Sequence, residues 1–206
     1  MSADEPRRLI TKVRDGTAWP IGGNAEVAWI QDGTSITTLI TAAIPPLFDA
    51  YATVELPGSG GNVHGLRNDG QECHDRALLA VLSRHTAPQR WWLGYLDTGA
   101  DDVVFPDAPP VTLYANWPYV LVGAGPQQAT VWRREGLGSF WKGSLPNLMF
   151  PADRAWLVST LWDDDWTCIG GSTPLVGDLL DDSELGPRAH LVTLKDDATP
   201  PGHQAR

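Results

Sequence analysis

FPADRAWLVSTLWDDDWTCIGGSTPLVGDLLDD, residues 150–182, holds three of the chain's ten tryptophans, a triple aspartate and a helix start, and its periodicity decides the fold. In an extended segment Trp156, Val158, Thr160 and Trp162 fall on one face and Ala155, Leu157, Ser159 and Leu161 on the other. Both faces carry apolar groups, as an inner strand requires. Asp163, Asp164 and Asp165 interrupt the pattern, and aspartate suits a tight connection because its carboxylate bonds nearby backbone N–H groups. Residues 166–169 read as the returning strand. Gly170 and Gly171 permit a sharp exit, Ser172 or Thr173 caps a helix, and Pro174 fits the first turn, where its missing N–H costs nothing. The helix is expected to run to about Asp182. The unit is a hairpin with the aspartates exposed at its tip, a glycine turn and a short helix.

Working outward, residues 91–97, WWLGYLD, read as a strand that leads into the acidic, turn-rich segment TGADDVVFPDAPP. Strands at 111–114 and 117–122 follow, joined by Ala115 and Asn116 in a tight hairpin, with Pro118 shifting the pairing toward an edge. Residues 126–134 read as a short helix and 136–146 as a loop. Toward the N-terminus, residues 72–85 are the clearest helix, with Ala77, Leu78, Val81 and Leu82 as its apolar stripe. Residues 48–56 alternate as a strand. Ile36, Leu39, Ile40 and Ala43 stand at helical spacing after Asp32-Gly33, so a helix is expected over 35–43, stopped by Pro45 and Pro46. Segments 9–13 and 26–30 are expected to pair as short strands, and 191–194 to supply a last one. This mixed order of hairpins and helices argues for α+β: one domain over residues 1–206, with a mixed, mainly antiparallel sheet built from hairpins and flanked by three or four short helices. A flexible loop near 57–70 and a frayed tail from about 196 complete the expectation.

The 206 residues suffice for one substantial core. There is no apolar run of spanning length, and the first residues lack the apolar region of a secretory signal, so the expected location is the cytoplasm and no membrane is involved. Cys73 and Cys168 are too few for a disulfide framework. The net charge of −10 is unevenly spread. Residues 1–90 carry eight basic and ten acidic side chains, whereas 91–206 carry seven and fifteen, so the halves hold −2 and −8. Such a field repels the phosphates of nucleic acid and suits a basic protein partner drawn in by electrostatic steering.

Asp163, Asp164 and Asp165 offer oxygens to a divalent cation, but adjacent residues on one turn rarely all face one ion, so a solvated tip is the plainer reading. Asp97, Asp101, Asp102 and Asp107 form a second acidic cluster, in a connection where functional residues often gather. Cys73 and His74, with His64 and His85 nearby, have the wrong spacing for zinc, and a Cys73 nucleophile lacks a fixed base. Cys168 reads as a small core residue. No Gly-x-Ser-x-Gly elbow, dinucleotide fingerprint or P-loop is present, and no cofactor is expected. Most tryptophans belong in the core, but neighbours such as Trp91 and Trp92, or Trp162 and Trp166, cannot all face one way, so a ring is expected at a surface.

The segments WWLGYLDTGADDVVFPDAP and FPADRAWLVSTLWDDDWTCIGGS resemble a group of bacterial proteins of unassigned activity over about residues 36–203. The pattern of a Trp-rich strand, aspartate turn, Gly-Gly and short helix in an acidic domain is also loosely similar to immunity proteins of bacterial toxin systems, including the SMI1/KNR4-like group. That resemblance implies a non-enzymatic, protein-binding inhibitor and carries no residue assignments. The expected partner surface therefore comes from charge and aromatic content: Asp101, Asp102, Asp163, Asp164 and Asp165 for steering, and Trp92, Trp162 or Trp166 as anchor. The alternative is a small-molecule-binding protein or metal-assisted hydrolase with a cleft lined by Trp and Asp.

Overall fold

A computed structural model describes residues 9–58, 69–99, 103–133, 145–161 and 164–200. In chain order its elements are β1 (Ile10–Arg14), β2 (Thr17–Ile21), α1 (Asn24–Gly33), β3 (Ala50–Glu55), α2 (Asp69–Arg84), β4 (Trp91–Leu96) and β5 (Val111–Leu113). They continue with β6 (Trp117–Ala124), α3 (Pro126–Ala129), β7 (Leu148–Pro151), β8 (Leu157–Ser159), β9 (Trp166–Gly171), α4 (Thr173–Asp181) and β10 (Ala189–Val192). The strands make one sheet in the order β1-β2-β6-β4-β7-β8-β9-β3-β10, with β5 also beside β6. Every pairing among the described residues is antiparallel. The α+β class with a mainly antiparallel sheet is the architecture of this chain.

The sheet is buried on both faces because its central strands carry apolar side chains on both. In β4, Trp91, Leu93 and Tyr95 face one cluster and Trp92 and Leu96 the other. The first face is covered by Leu78, Val81 and Leu82 of α2, by Leu175, Val176 and Leu179 of α4, and by Val103, Val104 and Ala108. The second is covered by Val27 and Ile30 of α1 and by the turn that carries Ile40, Ala43 and Ile44. Strand β8 lies between β7 and β9, pairing Leu157 with Gly170 and Ser159 with Cys168, the inner hairpin strand its two apolar faces require. Ser172 caps α4 by accepting from the Leu175 amide at 3.4 Å.

The structure departs from the sequence expectations at five places. Residues 26–30 lie in α1, not in a strand. The Glu26 carboxylate accepts from the Gly23 amide at 2.6 Å, a reciprocal cap, and Val27 and Ile30 then share one buried helical face. The strand pairing with β1 is β2, which follows a two-residue turn with Asp15 and Gly16 at φ 52° and 75°. Residues 35–43 form only one turn of 3-10 helix, Ile40–Ala42. Three β-branched threonines weaken a helix there, and Thr38 instead accepts from the Ala198 amide at 3.0 Å. Ile36 is consequently 93% exposed. The β5–β6 connection has three residues, Tyr114, Ala115 and Asn116, all in left-handed backbone. Strand β7 lies between β4 and β8, where the sequence reading assigned no strand after the loop at 136–146. In the tail that begins at about 196, Asp197 bridges to Leu39 and Ala198 is buried. The loop expected near 57–70 falls largely outside the described residues, which include only the turn at Pro57 and Gly58 and the start of α2.

Candidate functional site

Antiparallel order decides which connections share an end of the sheet. The end of β4, the start of β7, the end of β8 and the start of β9 coincide, because Gly94 pairs with Leu148, Leu148 with Ser159 and Ser159 with Cys168. The acidic segment after β4 and the aspartate tip between β8 and β9 therefore leave the sheet at the same end, separated by β7. Two strand spacings put those departure points about 10 Å apart. Glu55, opposite Trp166 at the end of β3, joins the same end. Among the described acids, Glu55, Asp97, Asp164 and Asp165 stand there, all half-buried.

The backbone of this end is fixed. Asn147 Oδ1 accepts from the Leu96 amide at 3.1 Å and from Arg133 Nη2 at 2.7 Å, so one buried amide ties the end of β4 to the entry of β7. The Asp97 amide donates to Pro118 O at 2.9 Å, and the Leu56 amide donates to Asp165 O at 2.7 Å. Thr160 and Thr167 join their hydroxyls across the hairpin at 2.8 Å. Asp107 turns toward the edge strand instead. A hydrogen bond from Lys12 holds its carboxyl below the usual carboxylate range.

Asp101, Asp102, Trp162 and Asp163 lie outside the described residues. Of the aromatic candidates, Trp92 is 6% exposed and lies under the Arg90 guanidinium at 5.6 Å, and Trp166 is 7% exposed in β9. Both rings face the second core cluster rather than solvent. Trp19, Trp29 and Trp117 are half-buried, Trp19 against Trp132 at 4.8 Å and Trp29 against Phe48 at 6.3 Å.

Cys168 is buried and its thiol is pushed well up by desolvation, as fits a core residue, while Cys73 is exposed. His74 is buried in α2, where Arg188 Nη1 lies 3.0 Å from Nδ1; a guanidinium only donates, so Nδ1 accepts and the ring proton sits on Nε2. Among the described residues no group of three or more His, Cys, Asp or Glu is placed to hold a metal ion. No helix among them is long and apolar enough to cross a membrane.

At the opposite end of the sheet a cleft of about 250 Å³ opens between α1, the residues before β3, the β7–β8 turn and the end of β9. Its lining includes Trp29, Phe48, Asp49, Arg154 and Ser172. The sequence reading gave Ser172 as a cap and assigned no role to Asp49 or Arg154. The turn chemistry of Pro151, Ala152, Asp153 and Arg154 was the available signal. The aromatic wall depends on Gly170: a Cβ there would lie 2.5 Å from both Phe48 Cδ2 and Ile44 Cγ2. Gly170→Ala is therefore expected to displace Phe48 and destabilise the fold by about 1–3 kcal/mol, read as a lower denaturation midpoint at unchanged slope. A midpoint equal to that of the parent protein would show that Phe48 and Ile44 give way freely. Compared with protein-family models, with curated proteins and with solved structures, the chain shows no match to any, so the functional reading rests on its own residues.

Proposed function

We propose that this chain is a cytoplasmic, non-enzymatic binding protein that docks a basic protein partner on the carboxylate-rich end of its sheet, as an immunity-type inhibitor would. The observation that supports this reading is topological: two acidic connections far apart in sequence depart from one end of the sheet, with Glu55 beside them. Carboxylates grouped in this way raise the local concentration of a cationic partner and speed its encounter. The half-buried setting of Asp164 and Asp165 and their fixed backbone reduce the ordering cost on docking. Asp101, Asp102, Asp163 and Trp162, which the sequence reading also gave to the partner surface, lie outside the described residues. Trp92 and Trp166 enter it as support beneath the surface rather than as exposed anchors.

The test is affinity capture from lysate at low and high salt, comparing the native chain with an Asp164→Lys, Asp165→Lys variant. Retention of a basic protein by the native chain is expected, with its association rate falling about tenfold or more on charge reversal or at high salt. Capture that is indifferent to both charge reversal and salt removes this surface from the reading.

A further inference from the structure

The cleft at the opposite end of the sheet combines four features that the acidic-end reading leaves unused. First, its charges are opposite and separate. Arg154 and Asp49 both line it, and neither side chain makes a hydrogen bond or ion pair among the described residues. Second, the backbone that presents the cation is held in place. Arg154 has left-handed backbone at φ 61°, a conformation that costs energy for a residue with a Cβ, and the turn that imposes it is closed by three contacts. The Arg154 amide donates to Pro151 O at 2.9 Å, the Ala155 amide donates to Asp153 Oδ1 at 3.0 Å, and Gln89 Nε2 donates to Asp153 Oδ2 at 2.7 Å. The guanidinium then lies 5.4 Å from the Trp29 ring centroid.

Third, the aromatic wall is rigid. Trp29 Nε1 donates to Glu26 O at 3.0 Å, and the indole meets Phe48 and Phe150 edge-on at 6.3 Å and 5.5 Å. Phe48 is pinned by its own amide, which donates to the Tyr51 hydroxyl at 3.0 Å. Fourth, Ser172 receives the Leu175 amide on its oxygen and keeps its own hydroxyl hydrogen to donate into the cleft. A guanidinium with parallel donors on a fixed turn, a separate carboxylate and an apolar wall in a space this small match a small zwitterion better than a drug-sized ligand.

We propose that this cleft binds a free apolar α-amino acid, its carboxylate on Arg154 and Ser172, its ammonium on Asp49, and its side chain against Trp29 and Phe48. The reading is independent of the acidic-end proposal, because the two sites lie at opposite ends of the strands and share no residue.

The test follows the Trp29 indole N–H signal of the labelled full chain by NMR during titration with L-leucine, and identifies that signal with Trp29→Phe. N-acetyl-L-leucine, which lacks the ammonium, and L-leucinamide, which lacks the carboxylate, serve as comparators. Saturable movement of the Trp29 signal by L-leucine is expected, with both comparators weaker by about tenfold or more, as for an unpaired charge in a recognition site. Arg154→Gln should remove the distinction between L-leucine and L-leucinamide, and Asp49→Asn that between L-leucine and N-acetyl-L-leucine. Both side chains are exposed, so the fold tolerates either change, and each variant tests one end of the ligand by itself. No movement of the Trp29 signal overturns the proposal. So does equal binding of N-acetyl-L-leucine, which would make the cleft a simple anion site, or equal binding of L-leucinamide, which would make it a cation site.

Discussion

Trp156→Ala is expected to destabilise the chain by about 3–5 kcal/mol, the range for truncating a large aromatic residue whose site cannot collapse. Trp156 has no exposed surface, and its ring meets Trp91 edge-on with centroids 4.7 Å apart. Its Nε1 also donates to Thr86 Oγ1 at 2.7 Å, just beyond the end of α2. One side chain thus joins the first residue before β8, the start of β4 and the end of α2. Thr86 gives its own hydrogen to Leu82 O at 2.6 Å, so deleting the indole leaves the hydroxyl with that bond alone and a void beside it. Trp156→Phe retains most of the ring volume and should cost only about 1–2 kcal/mol, chiefly the hydrogen bond. Denaturant unfolding of both variants checks the order. A loss below about 1 kcal/mol for the alanine variant would mean that neighbouring side chains close the space.

The same residue shows what was legible in the sequence. Trp156 alternates with Val158 in a run that is apolar on both faces, and an inner strand followed from that pattern alone. The cap at Ser172, the start of α4 and the apolar stripe of α2 were equally readable, because each depends on residues within one or two turns. Failures came where a distant partner decides. Residues 35–43 carry a helical stripe, but Thr38 and Leu39 are claimed by residues 197 and 198, more than 150 positions away. Strand β7 has four buried residues and no alternation, so only its place between β4 and β8 identifies it. The start of α1 is a different case, since Gly23 with Glu26 three residues on is a local capping signal beside Ala25 and Ala28.

Site legibility follows the same division. Charge composition singled out both acidic connections, but their common departure from one end of the sheet is a property of strand order, which no local pattern contains. Arg154 and Asp49 lie 105 positions apart and carry no motif; their convergence appears only once β7, β8, β9 and β3 are placed. Opposite charges that face one cleft without pairing are the feature that sequence inspection had no means to find.

His74 makes the chain's stability depend on pH in a window of its own. Burial, and secondarily the Arg188 guanidinium, lower its pKa from 6.5 to about 4. The folded ring is therefore neutral where the unfolded ring takes up a proton, and the unfolded state binds more protons between those two values. Stability is fully present above pH 6.5 and is lost as pH falls toward 4, by about 3 kcal/mol in all. Two other effects are separable from it. The carboxyls of Asp107, Asp178 and Asp196 are held below 3.8 by hydrogen bonds from Lys12, His85 and Thr193 respectively, so their contributions fade at lower pH. Neutralising part of the −10 net charge relieves self-repulsion and acts in the opposite direction. The His74 effect should win, because a buried ring beside a fixed guanidinium is screened far less than charges spread over a surface. Arg188 keeps its other acceptors, Glu55 O, Glu184 O and Glu184 Oε1, when the ring is replaced. His74→Asn supplies an amide oxygen for Arg188 and cannot titrate, so its stability should be nearly flat between pH 6.5 and 4 while that of the parent falls. Equal slopes for the two proteins in denaturant unfolding across that window would assign the pH dependence to other groups.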